Sequence, residues 1–101
     1  MRIVALTARR LKPGAYDDWR KAWEPDEWPE GIKAYVVRNL ANPDEVIAFG
    51  FGDTDSDPRD NTDFAEQERR RQERMAPFIE SVIADGTYEV LEEVGAEAAV
   101  S

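Results

Sequence analysis

Ile32 to Asp53 reads IKAYVVRNLANPDEVIAFGFGD, two strand-like runs joined by Leu40-Ala41-Asn42-Pro43-Asp44-Glu45. Asn-Pro-Asp is turn chemistry, so the segment is a hairpin. In its first run Ile32, Ala34, Val36 and Arg38 share one side, and Lys33, Tyr35, Val37 and Asn39 the other. The second run, Val46 to Gly52, has a bulky face of Ile47, Phe49 and Phe51. Its opposite face, Val46, Ala48, Gly50 and Gly52, is nearly bare. Glycine inside a strand weakens it unless something approaches closely. The two faces therefore meet different things, and parity alone leaves open which one meets helices.

Upstream, Arg2 to Leu11 alternates as a strand that is apolar on both sides at its start, as an inner strand would be. Lys12-Pro13-Gly14 is a turn into a helix from Ala15 to about Glu24. Tyr16, Trp19, Ala22 and Trp23 make one helical face, as core or as pocket wall. Asp17 and Asp18 suit the first turn, and Pro25 stops the helix. The acidic loop Asp26 to Gly31 carries Trp28, which reads either as an anchor tucked over the helix or as a lid or subunit contact.

Downstream, Asp53 to Asp63 is an acidic link. Its D-x-D-x-D start matches a calcium loop, but Pro58 stands where glycine is needed and Phe64 where glutamate is needed. It reads as a solvated, helix-capping loop. Asp63 and Glu66 fit a capping box opening a second helix near Phe64. Glu66 with Arg70, and Glu68 with Arg71 or Gln72, are helix-surface pairs. Arg69, Arg70, Arg71 and Arg74 form a basic run, read as a solvated face or as an anion clamp or subunit seam. Pro77 kinks this helix, which the spacing of Met75, Phe78, Ile79, Val82 and Ile83 carries on to Asp85-Gly86. Thr87 to Val94 is expected to be the fourth strand, and residues 95–101 a tail.

The 101 residues make one domain, 1–94, with that tail. There is neither cysteine nor histidine, which removes thiolate chemistry, the commonest metal ligand and the usual general base. No metal site is expected. A net charge of −9 argues against nucleic acid and against anionic membrane surfaces. No apolar run suits a bilayer span or a signal segment, so a cytoplasmic protein is expected.

Four strands and two helices in the order βα-ββ-αβ give an α+β fold, the ferredoxin-like split βαβ sandwich. A four-stranded antiparallel sheet would carry both helices on one face. The other face would stay apolar, through Val4, Leu6 and Ala8 if Thr7 points to the helices, and a twofold homodimer would bury it.

The Lys12-Pro13-Gly14 turn after the first strand, the aromatic first helix, the wide hairpin and a second helix broken by proline before a strand resemble the antibiotic-biosynthesis-monooxygenase-like group of dimeric α+β barrels. The resemblance spans roughly residues 1 to 94. It implies a homodimer pairing as a dimeric α+β barrel. Haem-degrading members carry an asparagine seven residues before the turn glycine, where this chain has Thr7, and a histidine on the second helix, which this chain lacks. Both departures argue against haem degradation. Cofactor-independent members use an asparagine, a tryptophan and a tyrosine or arginine around an aromatic substrate. The matching residue types here are Asn39, Arg38 and Tyr35 as catalytic candidates, with Trp19 and Trp23 beside them.

Two functions follow. One is an enzyme of the cofactor-independent monooxygenase type, taking an aromatic or polyketide-like substrate with no metal or other cofactor. Its pocket would lie between helices and sheet and be lined by Thr7, Trp19, Trp23, Tyr35, Phe49 and Phe78, with Arg9, Arg38 or the Asn39 amide stabilising an anion. The other is a non-catalytic homodimer, a small-molecule-binding or interaction module whose aromatics are core.

Overall fold

A computed structural model describes residues 1–28, 32–53 and 62–95. Most of the acidic link with its calcium-like spacing, the Pro29-Glu30-Gly31 end of the Trp28 loop, and the tail beyond Gly95 lie outside the described residues. The chain runs β1 (Arg2–Leu11), α1 (Tyr16–Trp23), β2 (Lys33–Arg38), β3 (Glu45–Asp53), α2 (Thr62–Met75), a 3₁₀ turn (Ala76–Phe78) and β4 (Ile79–Glu89). The four strands form one antiparallel sheet in the order β2-β3-β1-β4. Each helix thus links two strands across a third one, which makes the ferredoxin-like fold expected from the element order. β1 is an inner strand, as its two apolar faces require.

The local rules that shape α1 are visible in its ends. Gly14 takes a positive φ of 74°, which closes the turn after β1 and favours glycine there. Asp17 and Asp18 sit in the first turn, Arg20 and Lys21 in the last, and Pro25 follows the cap Glu24. Tyr16, Trp19 and Trp23 form a continuous ring row, with centroids 5.8 Å and 6.3 Å apart. Trp19 is wholly buried.

Register settles the two hairpin faces. Arg9 lies opposite Val46, Thr7 opposite Ala48 and Ala5 opposite Gly50. Arg38, Val36 and Ala34 flank the same three β3 residues on the other side. Directly paired residues share a face, and Leu11, Val46 and Ala48 are buried with Trp19, Trp23 and Met75 in the core. The sparse face of β3 therefore meets the helices. Ile47, Phe49 and Phe51 lie on the open face, where Phe49 stacks on Tyr35 at 5.4 Å and meets Phe51 edge-on at 5.8 Å.

The second half of the expected helix is corrected. α2 ends at Met75, and Ile79–Glu89 is strand, not helix to Gly86 followed by strand from Thr87. Pro77 sits in the 3₁₀ turn, where a further helical turn would lose a backbone bond. β-Branched Ile79, Val82 and Ile83 then favour extended backbone. β4 pairs with β1 along its length, with register shifts between Ala8 and Arg9 and between Arg10 and Leu11. α2 also begins at Thr62, which puts Asp63 in the first turn and not before it.

Candidate functional site

The bare face of β3 leaves room beneath the helices. Gly50, Ala48, Ala5 and Thr7 line a cavity of about 610 Å³ between the sheet and α2. Trp23 and Trp28 wall it on the α1 side, Ile32 lies at the β2 edge, and Glu68, Arg71 and Gln72 reach it from α2. Asp85 and Thr87 line it from β4. Asp85 pairs with Thr7, and Thr87 with Ala5, so both stand on the helix-facing side of the sheet.

Trp23 and Trp28 meet edge-on at 5.7 Å. The Trp28 indole N–H donates to Glu24 Oε1 at 2.9 Å, and Arg20 donates to the other oxygen of that carboxylate at 2.6 Å. These two bonds hold Glu24 below the ordinary glutamate range. They also fix Trp28, which stays 43% exposed at the cavity rim. The loop end is thereby tied to α1.

Arg9 is the polar centre of the site. It is 1% exposed, although it carries a full charge on a strand. Its Nη2 donates to Gln72 Oε1 at 3.1 Å and its Nη1 contacts Met75 Sδ at 3.4 Å. Its Nε–H has no partner among the described residues. Burial pulls its pKa below the ordinary arginine value; Asp85 opposes that, Arg71 adds to it and Glu68 opposes it.

The basic run of α2 divides in two. Arg69 and Arg70 are solvated and pair with Glu66, and Arg69 also pairs with Glu73. Arg71 and Arg74 turn inward and satisfy the orphan carbonyls at the end of α1. Arg71 Nε donates to the Trp23 carbonyl at 2.9 Å, and Arg74 Nη2 to that of Glu24 at 3.1 Å. Arg71 is also paired with Glu68.

Of the residues anticipated as ligand contacts, Thr7 and Trp23 line the cavity. Phe49 borders it by position on the sheet, while its ring stacks with Tyr35 on the other face. Trp19 is core and does not line it, and Phe78 packs against that core. Tyr35, Arg38 and Asn39 lie away from the cavity. Tyr35 is on the open face, 51% exposed. The Arg38 guanidinium sits 4.9 Å from the Tyr16 ring centroid. Asn39 shapes the hairpin turn, accepting from the Ala41 N–H at 2.7 Å and donating to Glu45 Oε2 at 2.8 Å.

Sequence reading passed over Gln72 and Asp85 as site residues, and singled out Trp28 only as an anchor, a lid or a subunit contact. The spacing of Ala65, Glu68, Gln72 and Met75 along α2 was the available signal, since it places them on one helical face. Among the described residues, no three metal-ligating side chains gather. No helix among them is long and apolar enough to cross a membrane.

No family model matches this chain, and no curated protein matches it. Solved structures do. A protein from Chloroflexus aurantiacus provisionally named an antibiotic biosynthesis monooxygenase superposes with a TM-score of 0.63 at 13% identity, over 94% of this chain and 98% of that one. A protein from Bordetella bronchiseptica with the same provisional name gives 0.61 at 10% identity, over 90% and 98%. At such identities the likeness speaks for architecture: this chain has the ferredoxin-like α+β fold of these antibiotic-biosynthesis-monooxygenase structures.

Proposed function

We propose that this protein is a small-molecule enzyme of the cofactor-independent monooxygenase type, acting on an aromatic or polyketide-like substrate. The observation that carries the reading is the cavity of about 610 Å³ beneath the helices, walled by Trp23 and Trp28 and holding the buried cation Arg9. Apolar walls with a few converging polar groups suit a flat, hydrophobic ligand. The names of the two structural neighbours support the same class of reaction.

In this reading the substrate supplies the electrons. An activated CH₂ loses a proton to become a carbanion or enolate, which O₂ then oxidises. When the CH₂ becomes C=O, one oxygen atom enters the product and the other leaves as water with the two hydrogens. The protein's part is to orient the ring between Trp23 and the sheet, exclude water and stabilise the negative oxygen with Arg9. Thr7 and Trp23 are the proposed contacts to the ring.

We also propose that the active form is a homodimer. Tyr35, Phe49, Phe51, Val37 and Tyr88 make the open sheet face an apolar, aromatic surface, and a second copy would cover it. This surface also supports the alternative, a homodimeric binding module without catalysis.

One experiment separates them. Tryptophan fluorescence is titrated with a panel of anthrones, quinols and polyketide aromatics, and oxygen uptake is recorded with each binder. Saturable quenching with uptake above the spontaneous rate is expected. Quenching without uptake would leave the binding module, and a silent panel on a folded protein would reject the pocket reading.

A further inference from the structure

We infer that the cavity selects ligands carrying one delocalised negative charge on oxygen, with Arg9 as the residue that reads it. The inference rests on the pocket reading above and adds the charge state of the ligand.

Arg9 is buried as a cation with a poor set of partners. Its two terminal nitrogens reach a neutral amide oxygen on Gln72 and the Met75 thioether sulfur, a weak acceptor. The Nε–H bonds to nothing among the described residues. None of their carboxylates forms an ion pair with it within 4.0 Å; the exposed pairs at Arg2 and Arg10 on the same strand are separate. A buried guanidinium without a counter-ion is expensive, and proteins normally pair it. Here the same residue borders an open cavity. An anion lodged in that cavity would lie against the covered guanidinium and supply the counter-charge it lacks.

The surrounding charges set how much negative charge fits. Asp85 lines the cavity and acts on Arg9 from beyond ion-pair distance. Glu68 does the same, but it is already paired with Arg71. A ligand with one negative charge gives the Arg9 guanidinium the contact partner it lacks, whereas a second charge would face Asp85 and Glu68 across a low-dielectric space. The walls fix the rest of the ligand. Trp23 and Trp28 offer ring surfaces, and Ala5, Ala48 and Gly50 offer a smooth floor against which a flat molecule lies. The ligand class is therefore a planar aromatic with a single carboxylate, or a single enolate or phenolate oxygen.

Calorimetry on the full chain near neutral pH tests this with four probes: 2-naphthoate, its neutral amide, naphthalene-2,6-dicarboxylate and 2-naphthol. Naphthoate should bind about tenfold or more tightly than the amide, as expected for a charge-assisted hydrogen bond in a buried site. The dicarboxylate should fall at or below the amide. Bound naphthol showing naphtholate absorption would assign the phenolate source, and naphthol that stays protonated would assign carboxylates. Arg9→Met should erase the preference of acid over amide. The comparison of acid with amide on the parent protein decides the matter even where that variant does not fold. Equal binding of acid and amide would overturn the role of Arg9 and leave the aromatic pocket standing. Binding of none of the probes would overturn both.

Discussion

The guanidinium of Arg71 on α2 donates to the backbone carbonyl of Trp23 at the end of α1, at 2.9 Å. The same group lies 5.5 Å from the centroid of the Trp23 ring. A residue of a run that resembles a solvated face thus joins the two helices above the cavity. Arg71→Leu leaves that carbonyl without its donor and Glu68 without its partner. The expected cost is about 1–3 kcal/mol, read as a lower urea midpoint at unchanged slope. Arg71→Lys should recover part of it, because the charge stays and the Nε–H does not.

Two tryptophans on one side of the molecule should behave differently. Trp19 is fully buried and Trp28 is 43% exposed. Trp19→Ala opens the core and should cost about 3–5 kcal/mol in urea unfolding. Trp28→Ala should cost about 1 kcal/mol. Because Trp28 walls the cavity, the second variant should also weaken aromatic binding while the fold stays intact. Equal stability losses would refute this division.

The dimer is tested on the open face. Phe51 meets Phe49 edge-on there and takes no part in the buried core. Sedimentation of the parent protein should give a species of twice the 11.5 kDa chain mass. Phe51→Lys should leave a single-chain species with its circular dichroism unchanged, since a cation desolvated between two sheets is unfavourable. A parent protein that sediments only as a single chain would end the proposal.

Acid should reveal the contacts of Glu24. Its carboxylate is held below the ordinary glutamate range, first by the Trp28 indole N–H and then by Arg20. A depressed folded-state pKa stabilises the protein above the unfolded value, and this is lost as pH falls through the folded one. Stability should therefore decline on acidification below about pH 5, just above the reference glutamate value. Glu24→Gln should flatten part of that decline. At neutral pH it should cost about 0.5 kcal/mol, the modest figure for a solvent-screened pair. Urea midpoints across a pH series measure both effects.

How far the sequence could be read depended on whether periodicity survived. β1 is seen at its expected bounds, Arg2–Leu11, because its alternation is unbroken. β4 was hidden by its two register shifts. They space its helix-facing residues as Ile79, Val82 and Asp85, opposite Leu11, Arg9 and Thr7. A spacing of three imitates a helix, and bulges of this kind cannot be seen until the partner strand is known. The site was half legible for a similar reason. Thr7 and Trp23 follow from local patterns. Gln72 and Asp85 enter the cavity only because α2 and β4 both pack beside β1, a tertiary fact. Arg9 shares the face of Thr7 and Leu11, but strand parity carries no sign that its Nε–H would be left unpaired.

The contrast between the two faces of β3 also guards the pairing of the strand itself. A slip by one residue would turn every side chain to the opposite side. Phe49 and Phe51 would then point where Gly50 and Gly52 now sit. A single Cβ at Gly52 would already lie 2.5 Å from Ile32 Cδ1, and one at Gly50 would lie 3.3 Å from the Lys33 carbonyl oxygen. Rings on that face would push Ile32 aside and fill the cavity beneath the helices, and the open face would lose its stacked rings in the same step. The misaligned hairpin is penalised on both sides at once. The bare face that makes room for a cavity at Gly50 thereby also acts as a proofreading element for strand alignment while the chain folds.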